Sequence, residues 1–329
     1  MGLPAAGLAL ALGLGLTWGL GLAWAGPAAA ENWPQKPVKL VVPFAAGGNS
    51  DGVARLIAQP LSQAFNQQFV VEDRPGANGV IASEYVARAS PDGYTLLMAT
   101  TAQIAVAPAI GKVPYDPAKD FAPVCAVSQS AFVIAINKTI AATNLREFID
   151  YVKDRPGKLA YGSGGVGSLS HLTSALFLKK AGLDMVHVVY KGGAPATVDL
   201  LAGQLPMTAQ NFSDLLPHVG SPDIRLLAVS TLNRTPFLPA VPTIDESGYP
   251  GFETVTRSGL MAPAQTPPEI VERLGLACAR LGRDPKLVER LASFGVSPLA
   301  GGPKEYSHQV ASEIAFWAEQ LSGPGLKLE

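Results

Sequence analysis

Residues 38–51 constrain the fold of this chain more than any other stretch. Residues 38–42 are a short apolar, β-branched run that predicts a buried strand. A loop of small residues, 45–48, follows, and Ser50 or Asp51 is predicted to cap a helix. A strand that feeds a helix through such a loop presents unpaired backbone N–H groups at the positive end of the helix dipole. The stretch therefore predicts either an anion site built from backbone or only a tight strand-to-helix turn.

The rest of the chain repeats this alternation of strands and helices. Strand 38–42, helix 51–66, strand 69–72, helix 79–89 and strand 94–99 form a β-α-β-α-β run, which is typical of a parallel sheet. Pro60 is predicted to bend the first helix or end its first segment. The second run has strands 158–162, 185–190, 205–209 and 224–229 with helices 169–181 and 195–202, and helices 267–281, 285–294 and 303–321 finish the chain.

Two partly apolar stretches indicate where the chain passes between two domains. Residues 124–136 are too long for one central strand and predict two strands that meet at a hinge. Residues 252–263 predict the return crossing. The predicted fold class is α/β, with two α/β lobes joined by two hinge crossings around a ligand cleft. Domain 1 is expected to comprise residues 33–125 plus 255–329, and domain 2 residues 126–254.

The first 30 residues carry no charged side chain and predict a signal peptide. An apolar run at 8–24 precedes Ala-Ala-Ala at 28–30, so we expect export to the periplasm and cleavage after about Ala30. A basic segment before the run is missing, and a retained membrane anchor remains the alternative. An oxidising compartment permits a disulfide between Cys125 and Cys278, although we expect two separate buried thiols.

Charge and motif content exclude several classes of function. The formal net charge is −1 and no Lys/Arg block occurs, which argues against nucleic acid as a partner. The four histidines show no metal-ligand spacing, so no metal site is expected. Residues 162–167 match the Gly-x-Gly-x-x-Gly dinucleotide fingerprint, but the next strand does not end in the acidic residue that binds ribose. We expect no cofactor, and an NAD-dependent oxidoreductase is a distant third hypothesis.

An exported serine hydrolase is the alternative from another functional class. Ser168 and His171 lie three residues apart at the predicted start of a helix, as a nucleophile and its base could. No Asp is placed to orient the imidazole. A polar helix N-terminus is the favoured interpretation, and the protein is not expected to be an enzyme.

Hydrogen-bond donors collect where the predicted strands end. They comprise Gly47, Gly48, Asn49, Ser50, Thr100, Thr101, Ser163, Ser168, Gly192 and Gly193. Donors converging on a cleft without a nucleophile, metal or cofactor motif predict reversible binding of an anion, and a carboxylate accepts several hydrogen bonds at once.

Six runs of sequence resemble one known family. They lie at residues 33–51 (WPQKPVKLVVPFAAGGNSD), 71–79 (VEDRPGANG), 91–96 (PDGYTL), 113–124 (VPYDPAKDFAPV), 167–172 (GSLSHL) and 187–196 (HVVYKGGAPA). Together they resemble the periplasmic solute receptors of tripartite tricarboxylate transporters, the Bug or TctC-like family. The resemblance extends from Trp33 to the last helix.

The resemblance implies a type II periplasmic-binding-protein fold that closes on its ligand. The loop from Phe44 to Asp51 would hold a ligand carboxylate, and Thr100-Thr101, the segment from Ser163 to His171 and the segment from Tyr190 to Ala194 would line the opposing walls. The implied partners are a small mono-, di- or tricarboxylate, including amino acids and aromatic acids, and the membrane permease subunits of the transporter. We expect a monomer.

Two departures from the family pattern bear on the ligand. Gln210-Asn211 stands where members often carry an acidic Asp-Asn pair. The glutamine removes a negative charge from the cleft if position 210 lines it. Asn211 is a predicted ligand residue. Arg257 stands where an aromatic residue is common. We hypothesise that Arg257 faces the cleft and pairs a second carboxylate in bidentate fashion.

Overall fold

A mixed ten-stranded β-sheet is the framework of this computed structural model, which describes Gly2 and residues 33–322. In chain order the strands are β1 (Val38–Val42), β2 (Phe69–Asp73), β3 (Thr95–Thr100), β4 (Phe121–Asn137), β5 (Ala160–Ser163), β6 (Val186–Val189), β7 (Met207–Asn211), β8 (Ile224–Val229), β9 (Val255–Pro263) and β10 (Ser297–Pro298). Neighbours follow the order β2-β1-β3-β9-β4-β7-β5-β6, while β8 and β10 pair with β4 outside this path.

Helices cover the sheet and connect its strands. They are α1 (Asn49–Phe65), α2 (Val80–Ala87), α3 (Ala107–Ile110), α4 (Leu145–Lys153), α5 (Leu169–Ala181), α6 (Gly193–Leu201), α7 (Phe212–Leu215), α8 (Pro268–Leu281), α9 (Pro285–Ala292) and α10 (Pro303–Ser322). A π-helical turn, Ala102–Val106, precedes α3, and a 3₁₀ turn, Leu216–His218, follows α7. Within the described residues, no helix is long and apolar enough to cross a membrane. The predicted signal peptide, residues 1–30, lies outside the described residues apart from Gly2.

The long strand β4 joins the two halves of the sheet. Its residues 121–131 pair antiparallel with β9, and its residues 132–137 lie between β7 and β8. We call β1, β2, β3, β9 and residues 121–131 the first half, and β5 to β8 with residues 132–137 the second half. The prediction of two strands meeting at a hinge is therefore wrong. One strand suffices because it changes partners along its length, and neighbours on both edges accommodate the long apolar run.

The first half confirms the predicted β-α-β-α-β run. Strand β1 pairs in parallel with both β2 and β3, and β9 runs antiparallel to β3. Val41, Leu97 and Met261 form the core of this half with Tyr306 and Val310 of α10. The parallel strands need the crossover helices α1 and α2, so their carboxyl ends point to the same edge.

The second half repeats the arrangement with β5 parallel to β6 and β7. Ile134 and Ile136 of β4 pack with Phe148 of α4 and with Leu172 and Phe177 of α5. Helix α5 has the bounds predicted from sequence. Ser168 caps its start, and Gly182 ends it in the left-handed conformation with φ 65°.

Helix α1 differs from its prediction at its start, and of the two effects predicted for Pro60, a bend or an end, the end does not occur. It begins at Asn49 after Gly48, and no side chain caps it, so neither Ser50 nor Asp51 is the cap. It also does not end at Pro60 but continues to Phe65. The fully buried Leu61 explains why the helix continues, because core packing compensates for the hydrogen bond that proline cannot donate.

A disulfide links β4 to α8 in the first half. Cys125 and Cys278 are bonded, with their Cα atoms 6.3 Å apart, so the expectation of two separate thiols is wrong. The two residues are 153 positions apart in sequence, and only the packing of α8 against β4 brings them together.

Candidate functional site

The carboxyl ends of strands from both halves of the sheet surround a cleft of about 610 Å³. The loops after β1 and β3 supply one wall, which we call the first wall. The loops after β5, β6 and β7 supply the second wall. Ligand sites of open α/β sheets lie in this position, outside the carboxyl ends of the strands.

Eleven of the predicted ligand residues line this cleft, and six do not. Those lining it are Phe44, Gly47, Gly48, Asn49, Ser50, Thr100, Ser168, Gly192, Gly193, Ala194 and Asn211. Those outside its lining are Asp51, Thr101, Ser163, His171, Tyr190 and Arg257. Lys191, within the predicted segment from Tyr190 to Ala194, and Gln210 also line the cleft, whereas sequence reasoning missed Asn78, Phe132 and Asp214.

The first wall centres on the uncapped start of α1. The Gly47 N–H is already used, because it donates to Asp51 Oδ2 at 2.7 Å. The N–H groups that follow Gly48 begin the helix without a side-chain cap. Asn49 adds a buried Nδ2 group that has no hydrogen-bond partner in the structure. This wall therefore offers amide hydrogens to an acceptor in the cleft.

Asp51 supports the first wall from behind. Its carboxylate lies 2.6 Å from Arg55 Nε, and Arg55 also pairs with Asp73 at 3.1 Å. Burial, followed by the charge of Asp51, raises the pKa of Asp73. Asp51 is 4% exposed and holds the loop through Gly47. Its Oδ2 accepts from Gly47 and its Oδ1 lies in the ion pair with Arg55, so the carboxylate supports the loop from within the protein.

The second wall centres on the uncapped start of α6. Gly192 precedes this helix with φ 109°, a conformation that favours glycine, and no side chain caps the helix. The Gly192 N–H donates to Gly164 O, which ties the loop after β6 to the loop after β5. Both walls thus end in a helix N-terminus whose first N–H groups lack a side-chain acceptor.

Ser168 and His171 do not form a catalytic pair. Ser168 Oγ donates to Gly165 O and accepts from the backbone N–H of His171, so it acts as a helix cap. The His171 ring accepts from Gly167 N through Nδ1, and its Nε2 is buried without a partner. Ser163 pairs with His187 instead, at 2.6 Å, and is fully buried. A nucleophile needs both a base and open access. Within the described residues, Ser168 has no histidine ring as a base, and Ser163 has no access to the cleft.

His171 and His187 stack behind the second wall. Their rings are parallel, with centroids 4.0 Å apart, and the Tyr161 ring is nearly parallel to that of His187, with centroids 4.9 Å apart. Burial, with a smaller effect from His187, lowers the pKa of His171 to about 4. Burial also lowers the pKa of His187. Both rings are therefore neutral at pH 7, and His171 positions the cleft loop through Gly167.

Thr101 and Tyr190 are engaged away from the cleft. Thr101 Oγ1 accepts from the Arg257 backbone N–H, and the Thr101 side chain is buried. Tyr190 donates its hydroxyl to Asp199 at 2.7 Å. Burial and this contact raise the pKa of Tyr190 to about 12. Sequence position alone put both residues at the walls, but their hydroxyls point to partners inside the fold.

The hypothesis that Arg257 faces the cleft is wrong. Its guanidinium pairs with Glu253 at 2.9 Å and with Glu313 of α10 at 3.3 Å. These residues line a different cavity, of about 540 Å³, together with Phe316 and Trp317. Neighbouring residues on a strand point to opposite faces, so Thr256 lines the cleft and Arg257 does not.

Asn211 and Asp214 set the polarity at the end of β7. Asn211 Oδ1 accepts from Ser130 Oγ at 2.6 Å and from Ser213 N, which fixes the amide beside the cleft. Burial raises the pKa of Asp214 to about 6. Asp214, four residues after Gln210, therefore brings a carboxylate into the lining of the cleft. No sequence signal pointed to Asp214, because α7 spans only four residues.

A metal is not suggested by the side chains. Within residues 33–322, no group of three or more His, Cys, Asp or Glu residues is arranged to hold an ion. The cleft instead combines amide donors with small and aromatic side chains, such as Ala45, Phe44 and Phe132. A sheet in two halves with such a cleft defines a solute-binding protein that holds a small molecule between two walls.

Comparison with known proteins identifies the family. The model described as "Tripartite tricarboxylate transporter family receptor" matches residues 53–323, and the chain belongs to this family. Its members are periplasmic solute-binding receptors rather than enzymes. Protein BugT of Bordetella pertussis is 34% identical over 307 residues, covering 93% of this chain and 94% of that protein.

Solved structures agree with this assignment. The Rhodopseudomonas palustris protein Rpa4515 with adipate is 37% identical, with TM-score 0.81, covering 88% of this chain and 97% of that chain. MatC from the same organism, with bound malate, is 31% identical, with TM-score 0.78, covering 88% and 100%. Periplasmic binding protein BugD is 34% identical, with TM-score 0.79, covering 90% and 99%. The predicted family and fold class are confirmed.

Proposed function

We propose that this receptor captures a small carboxylate in the cleft and delivers it to the membrane permease of a tripartite tricarboxylate-type transporter. One observation carries the proposal: the uncapped N-termini of α1 and α6 end on opposite walls of the same cleft. Each N-terminus supplies N–H donors and a positive partial charge. A carboxylate between them accepts hydrogen bonds from both walls at once.

The mechanism is closure of two lobes around the ligand. The lobes are residues 33–125 with 255–329 and residues 126–254, and β4 and β9 are the crossings between them. A ligand that contacts both walls binds the closed state better than the open state, so it shifts the population toward closure. Opening at the permease then releases an unchanged ligand. The receptor acts as a monomer, because one chain supplies both walls.

The relatives support a carboxylate as the ligand class. The related structures contain adipate and malate, which are both small carboxylates. Export supports the same function, because the ligand is collected outside the cytoplasmic membrane. The signal peptide at residues 1–30 is cleaved after about Ala30 in this proposal.

Binding to a panel of organic acids tests the proposal directly. We expect one or more acids to raise the unfolding temperature and to bind one per chain in isothermal titration calorimetry. Asn49→Ala removes the unpartnered Nδ2 donor and should weaken binding by about tenfold. Asn233→Ala removes an exposed amide outside the cleft and is the matched control.

The possible outcomes separate the parts of the proposal. A panel that leaves the unfolding temperature unchanged would contradict carboxylate capture. Full affinity in Asn49→Ala would contradict the role of the first wall. Uptake of a bound acid into permease-containing vesicles should require the receptor, and uptake without it would contradict delivery.

A further inference from the structure

Asp214 is a partly buried carboxylate in the cleft that no described residue neutralises. It lies on α7 and lines the second wall. Lys191 lines the same cleft, yet no ion pair or hydrogen bond joins any residue in the described part of the chain to the Asp214 carboxylate. Burial raises the pKa of Asp214 to about 6, which leaves it mostly ionised at pH 7. An ionised carboxylate without a counter-charge is costly in such a place.

Gly193 places Asp214 beside the carboxylate donors of the second wall. A β-carbon on Gly193 would collide with Asp214 Oδ2 and lie 2.8 Å from Gln210 Oε1. Gly193 is also the first residue of α6, whose N-terminus faces the cleft. The acidic group and the N–H donors therefore lie next to each other.

Gln210 adds an unsatisfied polar group at the same point. Its side chain is 1% exposed and lines the cleft, and its Nε2 is buried without a hydrogen-bond partner. A buried donor without an acceptor costs free energy unless a ligand or water accepts from it. Gln210 Oε1 and Asp214 Oδ2 both lie beside Gly193, so the two side chains place two acceptor oxygens at the start of α6.

The elements packed against α7 do not supply a positive charge. Strands β4 and β7 carry no charged side chain. Helix α6 carries Asp199, which accepts from the Tyr190 hydroxyl. The 3₁₀ turn after α7 carries His218, which makes no ion pair with Asp214. A counter-charge for Asp214 must therefore come from Lys191, by movement of its exposed side chain, or from the ligand.

We propose that Asp214 and Gln210 select ligands with an ammonium group beside the carboxylate, so that this receptor binds α-amino acids in preference to plain mono- or dicarboxylates. The inference rests on the proposed function and names the substrate class of the same cleft. The ligand carboxylate accepts from the start of α6, and its ammonium group donates to Asp214 and to Gln210 Oε1. A second ligand carboxylate at this position meets a like charge.

Pairs of acids that differ only by the amino group test this selection. We measure calorimetric affinities for L-aspartate against succinate and for L-glutamate against glutarate at pH 7.5. The wild-type receptor should prefer the amino acid of at least one pair by ~30-fold or more, as expected for a desolvated charge pair. Asp214→Asn should abolish that preference, and Asp154→Asn, which removes an exposed carboxylate outside the cleft, should retain it.

The pH profile gives a readout that a merely structural role would not change. The ratio of amino-acid to dicarboxylate affinity should fall as the pH decreases through about 6, where Asp214 becomes protonated. In Asp214→Asn only the smaller change caused by protonation of the free dicarboxylates should remain over that range. Asp214→Ser serves as a second variant if the first does not fold.

Each outcome has a distinct meaning. Tight binding of dicarboxylates with no preference for the amino acids would overturn the inference and leave the proposed function intact. Malate that binds as tightly as aspartate would also overturn it, because a neutral hydroxyl would then suffice. If no acid of either class binds, both the proposed function and this inference fail.

Discussion

On the first wall of the cleft, the loop before α1 is held by ionised groups. Asp51 binds Gly47 N–H and lies against Arg55, which in turn reaches Asp73. On the second wall, the loop before α5 is held by neutral rings, because His171 accepts from Gly167 and stacks on His187. Both walls present amide donors to the cleft. The groups that hold the two loops should differ in how they respond to a change of pH, to the loss of a charged side chain and to the loss of the disulfide. The following predictions exploit that difference, from the largest expected effect to the smallest.

The disulfide belongs to the first half of the sheet only. Cys278→Ser should lower the free energy of unfolding by about 3–5 kcal/mol, because the unfolded chain loses a cross-link between residues 153 positions apart. Urea unfolding measures this loss. Native-state hydrogen exchange should show faster exchange in β1 and β3 and little change in β5 and β7. Equal loss of protection in both halves would show that they are one cooperative unit.

Acid should destabilise the second wall through His171. Its pKa is lowered to about 4, whereas unfolded histidine titrates near its ordinary value, so the unfolded state binds the proton first. Stability is therefore fully present above about pH 6.5 and falls by about 2–3 kcal/mol as the pH decreases to about 4. Urea unfolding across this range measures the slope.

Two variants assign that slope to the histidine pair. His171→Asn keeps an acceptor for the Gly167 N–H without a titrating ring, and its acid slope should be shallower. His308→Gln replaces an exposed histidine of α10 and should keep the wild-type slope. An unchanged slope in His171→Asn would assign the acid effect to other groups.

Arg257 connects Glu253, in the segment before β9, to Glu313 of α10. Arg257→Ala should cost about 2 kcal/mol, because Glu313 stays buried without its cationic partner. Burial already raises the pKa of Glu313. Glu313→Gln in the same chain should recover part of the loss, and Glu253→Gln, on the more exposed partner, should cost little. Ligand affinity should change less than twofold, and a large affinity loss would restore a ligand role for Arg257.

Asp51→Asn separates charge from hydrogen bonding on the first wall. The amide oxygen still accepts from Gly47, while the attraction to Arg55 is lost. We expect a loss of about 1 kcal/mol in stability and a few-fold weaker ligand binding. Asp92→Asn, on an exposed turn with a weak pair to Lys36, is the control and should match the wild type. Asp51→Ala removes the acceptor for Gly47 as well and should lose more stability. A loss of stability in Asp51→Asn as large as that in Asp51→Ala would contradict the hydrogen-bonding role.

Local patterns predicted most elements of the fold. Apolar runs and helix stop signals located α5 to the residue, because Ser168 and Gly182 mark its ends through local hydrogen bonds and backbone conformation. They left open whether Pro60 bends or ends α1, and they failed at residues 121–137, where pairing with distant strands determines the structure. The glycine-rich loops located most of the cleft, because they follow parallel strands whose ends meet.

Side-chain direction could not be predicted in the same way. Thr100 lines the cleft and Thr101 does not, although they are adjacent and chemically identical. Arg257 points to Glu313, which lies 56 residues further along the chain. Asp214 joins the cleft only because α7 packs against the start of α6. Each of these outcomes depends on a contact between elements that are distant in sequence.

The sequence by itself determined the alternation of strands and helices, the placement of small residues at strand ends and the family to which the chain belongs. These properties depend on neighbours within a few residues, or on short runs that can be read directly. Only the tertiary structure decided the Cys125–Cys278 bond, the continuous β4, the burial of His171 and the charge at Asp214. Burial and pairing are properties of the packed chain, because solvent exclusion and partner distance exist only after distant segments meet.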